Sequence, residues 1–289
     1  MVFILDCDVE IMSDLINKMN YIDLPNPLKK IKGRVKSSID RLLYSSEYKS
    51  YYERIKKLHN IHKGQRCFIV GTGPSLQKTR LDLLKDEIVF GVNTLYKGLD
   101  KFNIWPKYYA ISDKNVFNDH YKKVLPLDTT LFLSSGAGKT FLSNKQKYEK
   151  IVKNDPIPLR TKGYITVENT VSKDIAKYVL NGHTIVNDIC LQVAYYLGFN
   201  EVYLLGCDCS YSGKVHHFDG DNYDFQYGGA KEKEFLRREK RRWDLTFKAY
   251  EICKKVFEES NMKIYNATVG GMLEVFERKS LEEIFDKGD

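Results

Sequence analysis

Little in the chain places it in an extreme class. Of 289 residues, seven are proline and nineteen are glycine. They follow no period, so collagen-like and low-complexity readings are excluded. Six cysteines are present without a C-x-x-C pair. Cys207 and Cys209 are one residue apart, and Cys7, Cys67, Cys190 and Cys253 are scattered, so no zinc-ligand set is spelled out and buried reduced thiols are expected. No apolar run approaches the roughly 20 residues of a membrane span. The opening MVFILDCDVEIM is acidic where a secretory leader is cationic. These absences point to a cytoplasmic chain. There is no internal repeat.

Positive charge is in excess, a net +8 at pH 7. It gathers in PLKKIKGRVKSSIDR and RIKKLHNIHKGQR in the first third and in KEKEFLRREKRR, Lys231 to Arg242. Such runs form solvated helix faces, and they attract phosphate, acidic glycans or an anionic membrane surface. None of these runs carries interleaved aromatics or a recognisable binding module, so nucleic acid is not the expected partner.

Residues 1–62 read as a polar, helical arm in which SSIDRLLYSSEYKSYYERIKKLHNIH has near-helical apolar spacing. From there to residue 289 the pattern becomes one domain of alternating strands and helices. Strands are expected at 67–71, 88–93, 108–112, 130–135, 202–207 and 263–268, with helices at Val171 to Leu180 and Asp188 to Leu197. Short β-branched and aromatic runs alternating with helices, several apolar on both faces, predict an α/β fold: a doubly wound, mostly parallel, Rossmann-like sheet.

In such sheets ligands bind beyond the carboxyl ends of the strands. Residues following the expected strands therefore form one surface: Gly71 to Ser75, Asn93, Asp113, Ser134 to Gly136, Asp208 with Ser210 and Tyr211, and Asn266 to Thr268. In CFIVGTGPSLQ, Gly71 and Gly73 let a ligand approach the backbone and rest on its amides. Pro74 suits a first helical turn, and Ser75 brings a hydroxyl to a helix N-terminus. The turn is neither G-x-G-x-x-G nor a P-loop, and a tight strand-to-helix turn explains it equally well. Asn93 reads a ribose or base edge, or caps a turn. Asp113 and Asp208 hold Mg²⁺ or a hydroxyl, or cap helices. Thr184, Asn187 and Asp188 read as helix caps. In GKVHHFDGDNYD, His216 and His217 are candidate general bases on a loop that covers the strand ends.

Taken in order, VGTGPSL, the strand ending at Asn93, and YYLGFNEVYLLGCD followed by a histidine loop resemble two related groups over roughly Gly64 to Leu273. One is the bacterial lipooligosaccharide sialyltransferase family, which uses CMP-sialic acid without metal. The other is the 6-hydroxymethylpterin diphosphokinase-like family of surface-polysaccharide clusters. The first resemblance implies that Gly71, Thr72, Gly73, Pro74, Ser75 and Asn93 hold a nucleotide, that Tyr211 meets its phosphate and that His217, with His216 beside it, is the catalytic base. HTIVND lacks the arginine and small hydroxyl residues that this family uses for its donor. The second implies Mg²⁺ and ATP, with Asp113, Asp208 and His217 in the site. KIYNATVGGMLEVFER resembles forms found in the carbohydrate-cluster members, which implies that Asn266 and Thr268 of NATVGG lie at a strand end beside the nucleotide.

The leading expectation is a glycosyltransferase of surface-glycan assembly that takes a nucleotide-activated sugar, CMP-linked by preference, and needs no cofactor. Its acceptor is a glycan or glycolipid, with the basic arms in peripheral contact with the inner face of an anionic membrane. The alternatives are a Mg²⁺–ATP diphosphotransferase and a nucleotide-binding protein without turnover.

Overall fold

Six apolar runs become strands because both of their faces are covered. Cys67, Phe68, Ile69 and Val70 have no exposed surface, and neither do Ala110, Ile111, Phe132 and Leu133. A computed structural model describes residues 50–209, 217–220 and 232–286. The chain divides into two compact units, Met1–Tyr52 and Glu53–Asp289, and the strands belong to the second. They are β1 (Arg66–Val70), β2 (Val89–Val92), β3 (Tyr108–Ile111), β4 (Thr130–Leu133), β5 (Ile157–Pro158), β6 (Thr161–Tyr164), β7 (Val179–Asn181), β8 (Glu201–Leu205), β9 (Lys263–Asn266) and β10 (Glu277–Arg278). The helices are α1 (Leu99–Phe102), α2 (Lys114–Val124), α3 (Ser135–Ser143), α4 (Lys145–Tyr148), α5 (Leu191–Leu197), α6 (Glu232–Glu259) and α7 (Leu281–Phe285).

Eight strands form one sheet in the order β10-β9-β8-β1-β2-β3-β4-β5, and every pair is parallel. With helices interleaved between strands, the fold is the expected Rossmann-like α/β type. All six expected strands are present, each ending within two residues of where the apolar pattern stops. From β1 the chain winds outward through β2 to β5, then returns on the other side of β1 as β8, β9 and β10. The order therefore reverses between β1 and β8. In doubly wound sheets such a reversal marks the crevice, at the carboxyl ends of the strands, where ligands bind.

Two helical expectations need correction. Val171 to Leu180 is not a helix. Ser172 Oγ donates to the Tyr178 carbonyl at 2.6 Å and the Ala176 amide donates to Asp174 Oδ1 at 3.2 Å. Side chains thus take up backbone groups that a helix would use, and Val179 and Leu180 enter β7, which pairs with β6 in a two-stranded sheet. The helix expected from Asp188 begins earlier, as a π-helical turn at Val186–Cys190 that continues into α5 and stops at Gly198, φ +85°. Among the described residues, no helix is long and apolar enough to cross a membrane.

Candidate active site

The turn after β1 and the turn after β8 are built against each other. The Gly71 amide donates to the Leu205 carbonyl at 2.7 Å, and the Gly73 amide donates to the Gly206 carbonyl at 2.9 Å. Parallel pairing therefore continues beyond both strands. Ser75 then donates to Asp208 twice, from its hydroxyl to Oδ2 at 2.7 Å and from its amide to Oδ1 at 3.2 Å. A Cβ on Gly73 would sit 1.8 Å from Asp208 Oδ2, so glycine is required by the neighbouring carboxylate. This corrects the reading of the glycines as an amide cradle for a ligand: the amides of Gly71, Gly73 and Ser75 already donate within the protein. Pro74 opens a 3₁₀ turn, Pro74–Lys78.

The histidine loop reaches the same place. His217 Nδ1 lies 2.9 Å from Thr72 Oγ1, and the next amide, of Phe218, donates to the Thr72 carbonyl at 2.9 Å. Gln77 Nε2 donates to the Phe218 carbonyl at 2.5 Å, Asp219 pairs with Lys97 at 2.6 Å, and the Phe218 ring packs 5.4 Å from Phe102. Five contacts thus fix a half-buried imidazole over the β1 turn. His216 and Tyr211 lie outside the described residues.

Asn93 follows β2, the next strand, with φ +47°. Its amide donates to the Ala110 carbonyl at 3.1 Å and its carbonyl accepts from the Tyr109 hydroxyl at 2.9 Å. Gly73, Asn93 and His217 therefore stand on one edge of the sheet. Other expected residues have local work. Asp113 caps α2, with Oδ1 accepting from the amides of Asn115 at 2.7 Å and Val116 at 3.0 Å. Asn266 and Thr268 are buried and hold the loop after β9. Asn266 Nδ2 donates to the Leu273 carbonyl at 2.6 Å and Oδ1 accepts from the Thr268 amide at 3.0 Å. Thr268 Oγ1 accepts from the Cys207 amide at 3.1 Å. These side chains brace the loops after β8 and β9.

Asp113 and Asp208 do not fit a shared Mg²⁺. Their strands, β3 and β8, are three positions apart in the sheet, about 14 Å at ~4.8 Å per strand. Each carboxylate is also turned to a local partner. Among the described residues, no three His, Cys, Asp or Glu side chains gather as a metal-ligand group.

A second part of this edge is built by HTIVND and the helix that follows it. Asp188 lies in the π-helical turn, 7% exposed. Its Oδ1 accepts from the Gly182 amide at 2.6 Å, and the Ser112 side chain also hydrogen-bonds to the carboxyl. Burial pushes its pKa up to about 7, against the opposing effect of these donors. Beside it, His183 stacks on Tyr164 at 5.3 Å, and burial and the Arg242 charge lower its pKa. Tyr250 of α6 places its hydroxyl 3.5 Å from Thr184 Oγ1 and hydrogen-bonds to Cys209. Burial, with the Asp208 charge adding to it, pushes the Cys209 thiol up to about 12. The sequence signals for it were HTIVND itself, compared above with a donor-binding segment, and the polar residues Thr184, Asn187 and Asp188 at a helix start.

Backbone strain collects on the same edge. Of the described non-glycine residues with positive φ, those other than asparagine are Ser135, His183 and Cys209, and they follow β4, β7 and β8. Left-handed backbone at such residues is unfavourable and concentrates where a site demands it.

A family model described as 6-hydroxymethylpterin diphosphokinase MptE-like matches residues 44–214, more than half of the chain. The chain belongs to the MptE-like family. Among solved structures, this MptE-like chain is similar to the sialyltransferase CstII from Campylobacter jejuni, solved with the substrate analogue cytidine-5′-monophosphate. Identity is 15% and the TM-score 0.45, over 76% of this chain and 87% of that one. It is also similar to the MAf glycosyltransferase from Magnetospirillum magneticum AMB-1, at 14% identity and a TM-score of 0.41, over 81% of this chain. The match spans 38% of the length of that enzyme. No curated protein matches by sequence.

Proposed function

We propose that this MptE-like chain is a transferase that moves a sugar from a nucleotide-activated donor, CMP-linked by preference, to a hydroxyl of a glycan or glycolipid in surface-glycan assembly. The observation that carries the reading is His217 fixed 2.9 Å from Thr72 at the switch point of the sheet. A nucleotide in that crevice lies over Thr72 and the Pro74–Lys78 turn, with Asn93 beside it. When Nδ1–H donates to Thr72 Oγ1, the lone pair is left on Nε2. An imidazole in that tautomer accepts the proton of an acceptor hydroxyl as its oxygen attacks the donor carbon. The bond to the nucleotide phosphate breaks and the nucleotide leaves with the negative charge. Asp208 is a positioning residue here, since it holds the Ser75 end of the turn.

The test is His217→Ala. Transfer should fall at least ~100-fold, the usual worth of a general base, while nucleotide affinity, measured by calorimetry, stays within about twofold. Normal turnover with weakened binding would reject the base role. A thermal-shift panel of CMP, CDP, UDP, GDP and ATP identifies the donor class first.

The family description favours a second reading, diphosphate transfer from Mg²⁺–ATP to a pterin-like alcohol. The positions of Asp113 and Asp208 count against the carboxylate pair that this reading would use. EDTA separates the two: transfer that survives chelation supports the sugar transferase, and transfer that stops supports the diphosphokinase.

A further inference from the structure

We propose that the face of α6 bearing Arg242, Thr246 and Tyr250 forms, with Thr184 and the Cys209 turn, a phosphate-binding subsite of the same crevice. The assignment of its natural ligand as the donor's phosphate rests on the nucleotide reading above. Spacing puts these three side chains on one stripe of the helix, since residues four apart lie one above the other. The Tyr250 hydroxyl fixes where that stripe points, 3.5 Å from Thr184 Oγ1 and hydrogen-bonded to Cys209. The charge of Arg242 acts on both His183 and Cys209. The guanidinium therefore lies near the same wall as the tyrosine, 5.4 Å from the centre of the Trp243 ring.

Thr246, between them, is the second and independent observation. It is fully buried, and its hydroxyl has no hydrogen-bond partner. A helical threonine ordinarily turns its hydroxyl back to the carbonyl four residues earlier, and Thr246 does not. An unmet buried hydroxyl is unfavourable unless something supplies a partner. A phosphate oxygen would do so, with the planar fork of Arg242 binding the same anion. The start of the helical run Val186–Leu197 borders this wall and favours negative charge there. Asp208 is the carboxylate next to Cys209, and it is turned away, onto Ser75. The β8 turn thus separates two functions: Asp208 braces the turn under His217, and Cys209 faces the anion.

Pyrophosphate titrated calorimetrically into the full chain tests the subsite without presuming a nucleotide. Wild type should bind, Arg242→Gln should bind about 10-fold or more weaker, and Thr246→Val, nearly isosteric, about fivefold weaker. Lys150→Gln removes the same charge from an exposed turn after α4, outside the subsite, and should leave affinity unchanged. Absence of binding by wild type, or equal weakening by Lys150→Gln and Arg242→Gln, would overturn the proposal. Should Arg242→Gln fail to fold, Thr246→Val decides alone, and wild-type affinity in that variant refutes the subsite. If pyrophosphate binds through Arg242 while no nucleotide in the thermal-shift panel does, the subsite stands and the nucleotide-sugar reading falls. If nucleotides bind and His217→Ala blocks transfer, yet Arg242→Gln and Thr246→Val bind pyrophosphate normally, only the subsite falls.

Discussion

Gly73 has φ −64° and ψ 154°, a backbone that any residue can adopt. Its identity is therefore a matter of room. The nearest atoms to an added Cβ are Asp208 Oδ2 at 1.8 Å, Asp208 Cγ at 2.6 Å and the Gly206 carbonyl oxygen at 2.7 Å. Gly73→Ala must expel the carboxylate and move backbone, and it should destabilise the fold by about 3 kcal/mol, read from urea unfolding. Adding Asp208→Ala should give back part of that loss, so the double variant should be less destabilised than the sum of the singles by about 1 kcal/mol. Strict additivity would show that the two loops do not press on each other. The sequence displayed these residues but not their partners. Gly71, Gly73 and Ser75 were legible as special positions, and so was Asp208. That they serve one another follows from β8 returning beside β1, a pairing of Arg66 with Glu201 across 135 residues that no local pattern encodes. Asp113 was legible in the opposite sense: an acid just before an amphipathic run is a helix cap, and it caps α2.

At the scale of elements, the segment from Ser172 to Gln192 shows where local pattern fails. Val171 to Leu180 has helical composition, yet Gln192, reaching from α5, captures it as turn and strand. Gln192 Oε1 accepts from the amides of Ser172 at 3.3 Å and Leu180 at 2.9 Å, and Nε2 donates to the carbonyls of Leu180 at 2.7 Å, Asn187 at 2.8 Å and Asp188 at 3.0 Å. The side chain is fully buried. Gln192→Ala orphans several buried backbone groups and should destabilise the protein by about 3 kcal/mol or more, whereas Gln192→Glu replaces a donor by an acceptor and should be no better. A melting temperature within a degree of wild type for Gln192→Ala would remove this account of β7.

The same junction carries a pH dependence. The Asp188 carboxyl is raised by burial to about 7 in the folded protein, from an ordinary value of 3.8. The folded state therefore holds its proton more tightly than the unfolded chain does. Stability from this group is full below about pH 4, declines as pH rises towards 7, and is flat above. A shift of that size corresponds to at most ~4 kcal/mol. Asp188→Asn keeps an oxygen for the Gly182 amide and cannot ionise. Chemical denaturation from pH 4.5 to 8 should show a decline in wild type that is smaller in Asp188→Asn, and parallel curves would refute the assignment.

For the whole molecule, the sheet offers two edges, and the proposed reaction is assigned to the carboxyl one. A cavity of about 630 Å³ opens at the amino edge among Gly64, Arg66, Asn200, Glu201, Lys263 and Phe285. By volume alone it would be the natural place for a ligand. Its lining argues otherwise: Arg66 is paired with Glu87 and stacked on Phe285, and Gly64 donates to Asn200 at 2.8 Å. At the carboxyl edge, by contrast, lie the strained residues Ser135, His183 and Cys209, the imidazole of His217 and the switch point itself. Hydrogen exchange in the presence of whichever nucleotide raises the melting temperature distinguishes the edges directly. Peptides covering 71–79, 93–98, 183–190 and 206–209 should slow by about tenfold or more at saturation, because bound ligand must leave before those turns open. Peptides covering 63–66 and 260–264 should exchange as in the free protein. Protection confined to the latter pair would move the site to the other edge of the sheet and take His217 out of the reaction.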